Sequence, residues 1–242
     1  FLAGFSTLIG TIIIFIIKKK TTKVIAGSLS FAAGVMITVS LTDLIPESFM
    51  LVSNKFLNFP AILICLIFFV IGIILSMLID YFFPNDVNNL SKSNKKLFRV
   101  GIISMLAIIL HNIPEGIATF MTSNNNLELG TTLTIAIALH NIPEGICIAV
   151  PIYYATKSRV KAFNYTLISA LSEPFGAILA FLFLTPLVND IMMGLLYSII
   201  AGIMIHISLY ELLPTALKYK KYFLITIFFI IGSLIIIINH II

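Results

Sequence analysis

Apolar residues along this chain come in long blocks. Segments 1–17, 60–83, 162–184 and 222–242 are almost wholly apolar, each close to the ~20 residues a helix needs to cross a bilayer. Short polar clusters punctuate the remainder. Together they predict eight spans, at about 1–17, 24–49, 60–83, 98–122, 131–155, 162–187, 189–217 and 222–242. The longest polar stretch, 84–99, is a short loop of low complexity, so the expected organisation is one transmembrane domain over 1–242.

Composition sharpens this picture. Hydrophobic residues make up 60% of the chain and charged residues 10%, with a mean hydropathy of +1.12. A soluble domain carries roughly a quarter of its residues charged; the class indicated here is an all-α integral membrane protein. Charge then sets orientation. The segments after the first, third, fifth and seventh spans hold Lys18, Lys19, Lys20 and Lys23; Lys92, Lys95, Lys96 and Arg99; Lys157, Arg159 and Lys161; and Lys218, Lys220 and Lys221. Only Lys55, of fifteen basic residues, lies on the other side. The basic side is cytoplasmic by the positive-inside rule, which places both termini outside a cell (inner) membrane. The net charge of +5 is this topology signal and gives no indication of nucleic-acid binding. Two cysteines, Cys65 and Cys147, lie within apolar spans and form no disulfide framework.

Two repeats stand out. HNIPEG occurs at 111–116 and again at 140–145, on adjacent spans of opposite direction. A longer pair, GVMITVSLTDLIPES at 34–48 and GIMIHISLYELLPTA at 202–216, aligns without gaps and sets Asp43 opposite Glu211. Paired motifs on antiparallel spans predict an inverted-topology repeat with a site near the midplane, an architecture suited to transport.

The buried polar residues give that site its chemistry. Asp43, Glu115, Glu144, Glu173 and Glu211 all fall inside spans, where one charge costs at least ~2.5–3.5 kcal/mol. No Lys or Arg is near them in sequence, so they are protonated or neutralised by cations. His111 and Glu115 stand at i and i+4 and share a helix face, as do His140 and Glu144. Asn112 and Asn141 can add amide oxygens at the edge of that face. Pro114 and Pro143 each remove a backbone donor and free the carbonyls of Leu110 and Leu139. Proline also accompanies the other acids, as Pro46, Pro174 and Pro214. Five acids beside expected helix breaks suggest convergence on one pathway.

A mixed nitrogen and oxygen donor set without thiolates suits divalent transition-metal ions, Zn²⁺ and Fe²⁺ first, with Mn²⁺, Co²⁺ and the heavier Cd²⁺ further down. Two ions sharing ligands would offset four carboxylates. Asp43 and Glu211, nearer the span ends, fit a lining or gating role as well as a solvated end. His206 fits an exit-path ligand as well as a core histidine. Met36, Met204 and Cys147 read as packing residues.

HNIPEGIATF on the fourth span, ALHNIPEGICIAVPIYYATKSR on the fifth and SEPFGA on the sixth resemble the ZIP (Zrt-, Irt-like) family of divalent metal transporters, in particular its bacterial ZupT-like branch. The resemblance implies eight helices in a 3+2+3 arrangement, extracytoplasmic termini, a metal site between spans four and five, often binuclear, and inward transport. By position, His111, Asn112 and Glu115 match the span-four ligands; Asn141, Glu144 and Glu173 match those of a second ion; His140 matches a variable position nearby. Asp43 stands where many members have histidine, which favours a harder or broader range of ions. The loop between spans three and four lacks the histidines many eukaryotic members carry.

Three functions compete at this stage. The leading one is uptake of divalent metal by alternating access, with the metal as substrate and no catalytic cofactor. The second is an intramembrane zinc-dependent hydrolase, for which HExxH is absent and a doubled site has no rationale. The third is a proton-coupled solute transporter, which leaves the repeated His and Glu spacing unexplained. Glycine-containing faces permit a homodimer.

Overall fold

Where polar residues interrupt the apolar blocks, their side chains start new helices. The Thr21 hydroxyl accepts from the N–H of Val24, the Asn126 amide oxygen from Glu128 and Leu129, the Ser158 hydroxyl from Lys161, and the Asn189 oxygen from Met192. Each satisfies donors that a first helical turn leaves open. Lys157, in the left-handed region at φ 60°, stops the preceding helix and lets the chain reverse.

The computed structural model describes residues 1–16, 21–82, 92–184 and 189–239. Among these, every regular element is a helix. Six are long and apolar enough to cross a membrane: α2 (Thr22–Ser53), α3 (Asn58–Ile79), α4 (Asn94–Asn124), α5 (Leu127–Thr156), α6 (Arg159–Phe183) and α7 (Asp190–Leu217). Two shorter apolar helices, α1 (Leu2–Ile16) and α8 (Tyr222–Ile238), stand at the first and last predicted spans. Lys18, Lys19 and Lys20, residues 84–91 of the expected 84–99 loop and His240 lie outside the described residues, and 92–99 are helical where a loop was expected.

Burial is arranged for lipid outside and polarity inside. The apolar stretch of α3 is only 17% buried, against 78% for α2, and α3 turns Phe59, Ile62, Leu66 and Ile74 outward. In the interior, His111, Asn112, Glu115, His140, Asn141, Glu144 and Glu173 are all buried. This multi-pass membrane protein therefore concentrates its polar chemistry at the centre.

Glycine fixes how the helices cross. A Cβ on Gly116 of α4 would run into the carbonyl of Glu173 on α6, and one on Gly176 of α6 into the carbonyl of Ile113 on α4. The same reciprocity joins α1 to α5 through Gly10 and Gly145, α2 to α8 through Gly34 and Gly232, and α3 to α7 through Gly72 and Gly202. Without side chains at these points the backbones approach closely, which is how helices associate in a solvent as apolar as themselves. Exchanging α1 with α6, α2 with α7, α3 with α8 and α4 with α5 maps each crossing onto another.

The longer repeat carries a feature its letters do not announce. Both copies contain one π-helical turn at corresponding positions, Ser40–Leu44 and Ser208–Leu212. Asp43 and Glu211 sit within these turns. At the start of each turn a serine hydroxyl donates back one turn, Ser40 to the Met36 carbonyl at 2.7 Å and Ser208 to the Met204 carbonyl at 2.8 Å. Pro46 and Pro214 follow, at the start of the next α-helical segment. They cannot donate backwards, and the widened turn accommodates the missing bond.

The HNIPEG copies behave differently. Helix runs through both Pro114 and Pro143, where a break beside each acid was expected. In a bilayer a break would strand further backbone groups, so losing one hydrogen bond within a continuous helix is the smaller cost.

Candidate metal centre

The i, i+4 spacing brings His111 and Glu115 together on α4, with His111 Nε2 3.4 Å from Glu115 Oε1. The α4–α5 crossing then adds the second copy. His140 Nε2 lies 2.9 Å from the same Glu115 oxygen, and His111 Nε2 lies 3.6 Å from Glu144 Oε1. The two imidazole centroids are 6.1 Å apart. Donor atoms of His111, Glu115 and His140 fall within 4.8 Å of one another. Glu115 thus sits between both imidazoles, and the two half-sites form one cluster.

Asn141 extends this cluster towards α6 and α1. Its amide donates to Glu173 Oε2 at 2.8 Å and to the Ala3 carbonyl at 3.0 Å. That leaves Asn141 Oδ1 without a hydrogen bond, together with Glu115 Oε2, Glu144 Oε2, both nitrogens of His111 and both polar atoms of Asn112. A buried polar atom left unpaired costs about 1–3 kcal/mol, and more where it is charged. So many in one place indicates an interior built for a charged guest. All of these unpaired atoms but the Asn112 amide nitrogen are imidazole nitrogens, carboxylate oxygens or amide oxygens, which are donors that bind divalent metal.

A vestibule opens onto the cluster. A cavity of about 540 Å³ runs from Met50, Thr122 and Leu133 past Thr42, Asp43 and Glu47 to Glu115 and His140 at its foot. Met50, Thr122 and Leu133 lie near the ends of α2, α4 and α5 that face away from the basic loops. Asp43 is only partly buried here, with the Thr42 hydroxyl 3.1 Å from its Oδ1. It lines the same vestibule as Glu115 and His140. An acid at this place raises the local cation concentration. Asp43→Asn is expected to raise the half-saturating metal concentration about threefold to tenfold with little change in maximal rate, and to lose its effect at high ionic strength. Uptake kinetics at two salt concentrations check this.

The remaining candidates stand apart from the cluster. Glu211 is held 3.2 Å from the Arg99 guanidinium, a cation 112 residues away that neighbourhood in sequence does not reveal. His206 has its Nδ1 2.9 Å from the Ser76 hydroxyl and its ring stacked on Tyr210 at 4.8 Å. Two residues emerge that the sequence reading passed over, Tyr197 and Thr7, and with them Glu47, which reads from the sequence as an interfacial acid. Glu47 and Tyr197 line the vestibule. Thr7 is fully buried with an unpaired hydroxyl, and its carbonyl faces Gly145 as that of Glu173 faces Gly116. Thr7 is therefore the counterpart of Glu173 in α1. The shared S-x-x-x-G spacing, Ser6 to Gly10 and Ser172 to Gly176, was the available signal.

Fold and site together define a multi-pass helical membrane protein with an interior of metal-binding donors. Residues 84–240 match the family described as ZIP Zinc transporter. The chain is 42% identical over 250 residues to a zinc transporter ZupT of Campylobacter jejuni, covering 90% of this chain and 86% of that protein. It is 43% identical over 235 residues to a zinc transporter ZupT of Chlorobaculum parvum, covering 92% and 88%. A zinc transporter ZupT of Streptococcus mutans is 40% identical over 242 residues, covering 97% and 92%. The chain belongs to the ZIP family.

Proposed function

We propose that this protein takes up divalent transition-metal ions across the cell membrane into the cytoplasm, with Zn²⁺ and Fe²⁺ preferred and Mn²⁺, Co²⁺ and Cd²⁺ accepted. The observation that carries the reading is the set of unpaired imidazole, carboxylate and amide atoms at the foot of the vestibule. His111, Glu115, His140 and Glu144 hold a first ion. Asn112, Asn141 and Glu173 hold a second that shares Glu115 and Glu144. Two divalent charges would offset the cluster's carboxylates, which lets the site form within apolar surroundings. Oxygen and nitrogen donors also bind less tightly than an all-thiolate cage, as release requires.

The architecture of this reading is one domain of eight spans in a 3+2+3 arrangement, with α1 and α8 as its outermost spans. Both termini are extracytoplasmic, because the basic loops face the cytoplasm. The reciprocal glycine crossings support inverted halves. Metal enters through the vestibule, exchanges water for protein ligands at Glu115 and His140, and leaves towards the basic loops.

Influx into proteoliposomes, with Zn²⁺, Fe²⁺ and Mn²⁺ offered separately, tests the proposal. Saturable influx of at least one ion is expected. No influx by folded wild-type protein would reject it.

A further inference from the structure

The open vestibule has an image on the other side of the cluster. The two repeats pair Asp43 with Glu211, Glu47 with Thr215, Ala118 with Cys147 and Leu133 with Ser104. Asp43, Glu47, Ala118 and Leu133 all line the cavity. Glu211, Thr215, Cys147 and Ser104 are all buried.

These buried counterparts are oddly polar for a packed interior. Hydroxyls in dry helices ordinarily donate to the carbonyl four residues back, as Ser30, Ser40, Thr156, Thr166 and Ser208 do in this protein. Ser104 and Thr215 do not. The Thr215 hydroxyl has no hydrogen bond, and the Ser104 hydroxyl, without an oxygen or nitrogen partner, lies against the Cys147 thiol. The Cys147 sulfur in turn lies 3.9 Å from that of Met36. Polar and soft atoms thus follow one another from Glu144, on the same helix as Cys147, towards the basic-loop side. At that end, Arg99 of α4 reaches across to Glu211 of α7. The corresponding position on the open side, Asp43, lines free space.

We propose that Ser104, Cys147 and Thr215 line the release path for the transported ion, closed in this state, and that the Arg99–Glu211 ion pair holds it shut. The inference rests on the transport reading. The pair suits a latch because it joins two helices at the basic-loop end of this row, with Glu211 buried and Arg99 the more exposed partner at 20%. A divalent ion arriving from Cys147 competes with the guanidinium for the same carboxylate, and replaces the cation that a buried carboxylate needs as the pair parts. Sulfur on this path also gives softer ions such as Zn²⁺ and Cd²⁺ an additional partner during release, compared with Mn²⁺.

The test is thiol labelling with a membrane-impermeant maleimide, applied to either face of oriented proteoliposomes carrying Cys65→Ser protein. Cys65 packs beside Val52 and Ala61, outside the proposed path. Labelling of Cys147 is expected only from the basic-loop face, to be roughly tenfold faster in Arg99→Gln, where the closed population falls, and to slow when Zn²⁺ is present. Arg99→Lys keeps a cation beside Glu211 and is expected to label slowly, which separates loss of the latch from general misfolding. In Cys147→Ala protein, Ala118→Cys is expected to label from the opposite face. Labelling of Cys147 from that opposite face would overturn the inference. So would Cys147 that stays unreactive in every variant while the Cys65→Ser protein imports Zn²⁺. Absence of Zn²⁺ import by wild type would instead reject the transport reading.

Discussion

Replacing Glu115 and Glu144 together by alanine is expected to abolish saturable metal uptake and to weaken metal binding by at least ~100-fold. Residues that merely orient metal ligands cost about 10–100-fold when lost, and these two carboxylates are themselves proposed ligands. Glu115 is the hinge of the cluster, since one of its oxygens lies 3.4 Å from His111 and 2.9 Å from His140. Glu144 is the only carboxylate from the second HNIPEG copy and lies 3.6 Å from His111. Without them the site keeps imidazole and amide donors and the Glu173 carboxylate but loses the two carboxylates shared between the ions. Titration calorimetry on the purified variant gives the binding loss, and proteoliposome influx gives the transport loss. Binding within threefold of wild type would remove both residues from the site.

The second large effect is expected at a residue with no side chain. Gly145→Ala would put a methyl group into the carbonyl of Thr7, and Gly116→Ala into that of Glu173. Backbone cannot swing aside as a flexible side chain can, so the helices must separate. Overpacking costs about 1–3 kcal/mol in adaptable cores, and occasionally more; these crossings belong at or above that range. Each glycine also adjoins a glutamate of the cluster, so separation moves the ligands. Both variants are expected to lose most of their folded yield, with the surviving fraction melting earlier and binding metal poorly. Gly27→Ala is the contrast, because its new methyl would meet only side chains of Leu224 at 3.3 Å and Phe228 at 3.4 Å. Size-exclusion profiles and thermal melts of the three variants measure the difference. Equal behaviour would show that close approach at Gly116 and Gly145 does not matter.

Much of this was legible in the sequence, for identifiable reasons. Spans are visible because a bilayer demands long apolar blocks, and the observed helices α2 to α7 follow the predicted ones closely. The pairing of His with Glu is visible because i and i+4 share a helix face whatever surrounds them. Membership of the ZIP family was legible in HNIPEG and SEPFGA. Other features were hidden from local reading. The two π-helical turns insert a fraction of a turn into an otherwise uniform apolar stretch, which hydrophobic pattern does not register. The Arg99–Glu211 pair depends on how α4 meets α7. Thr7 stands in for Glu173 through a repeat reduced to a serine and a glycine. The asymmetry between an open vestibule and its buried image is not legible either, because a repeat pairs positions without saying which member of each pair faces open space.

The central claim is that the buried histidines and glutamates hold the transported ion, and X-ray absorption at the zinc edge of zinc-loaded protein tests it most directly. The account predicts nitrogen and oxygen neighbours at about 2.0–2.2 Å with an imidazole signature, lost in the His111→Ala/His140→Ala double variant. Sulfur neighbours at about 2.3 Å, or an imidazole signature that persists in the double variant, would contradict it.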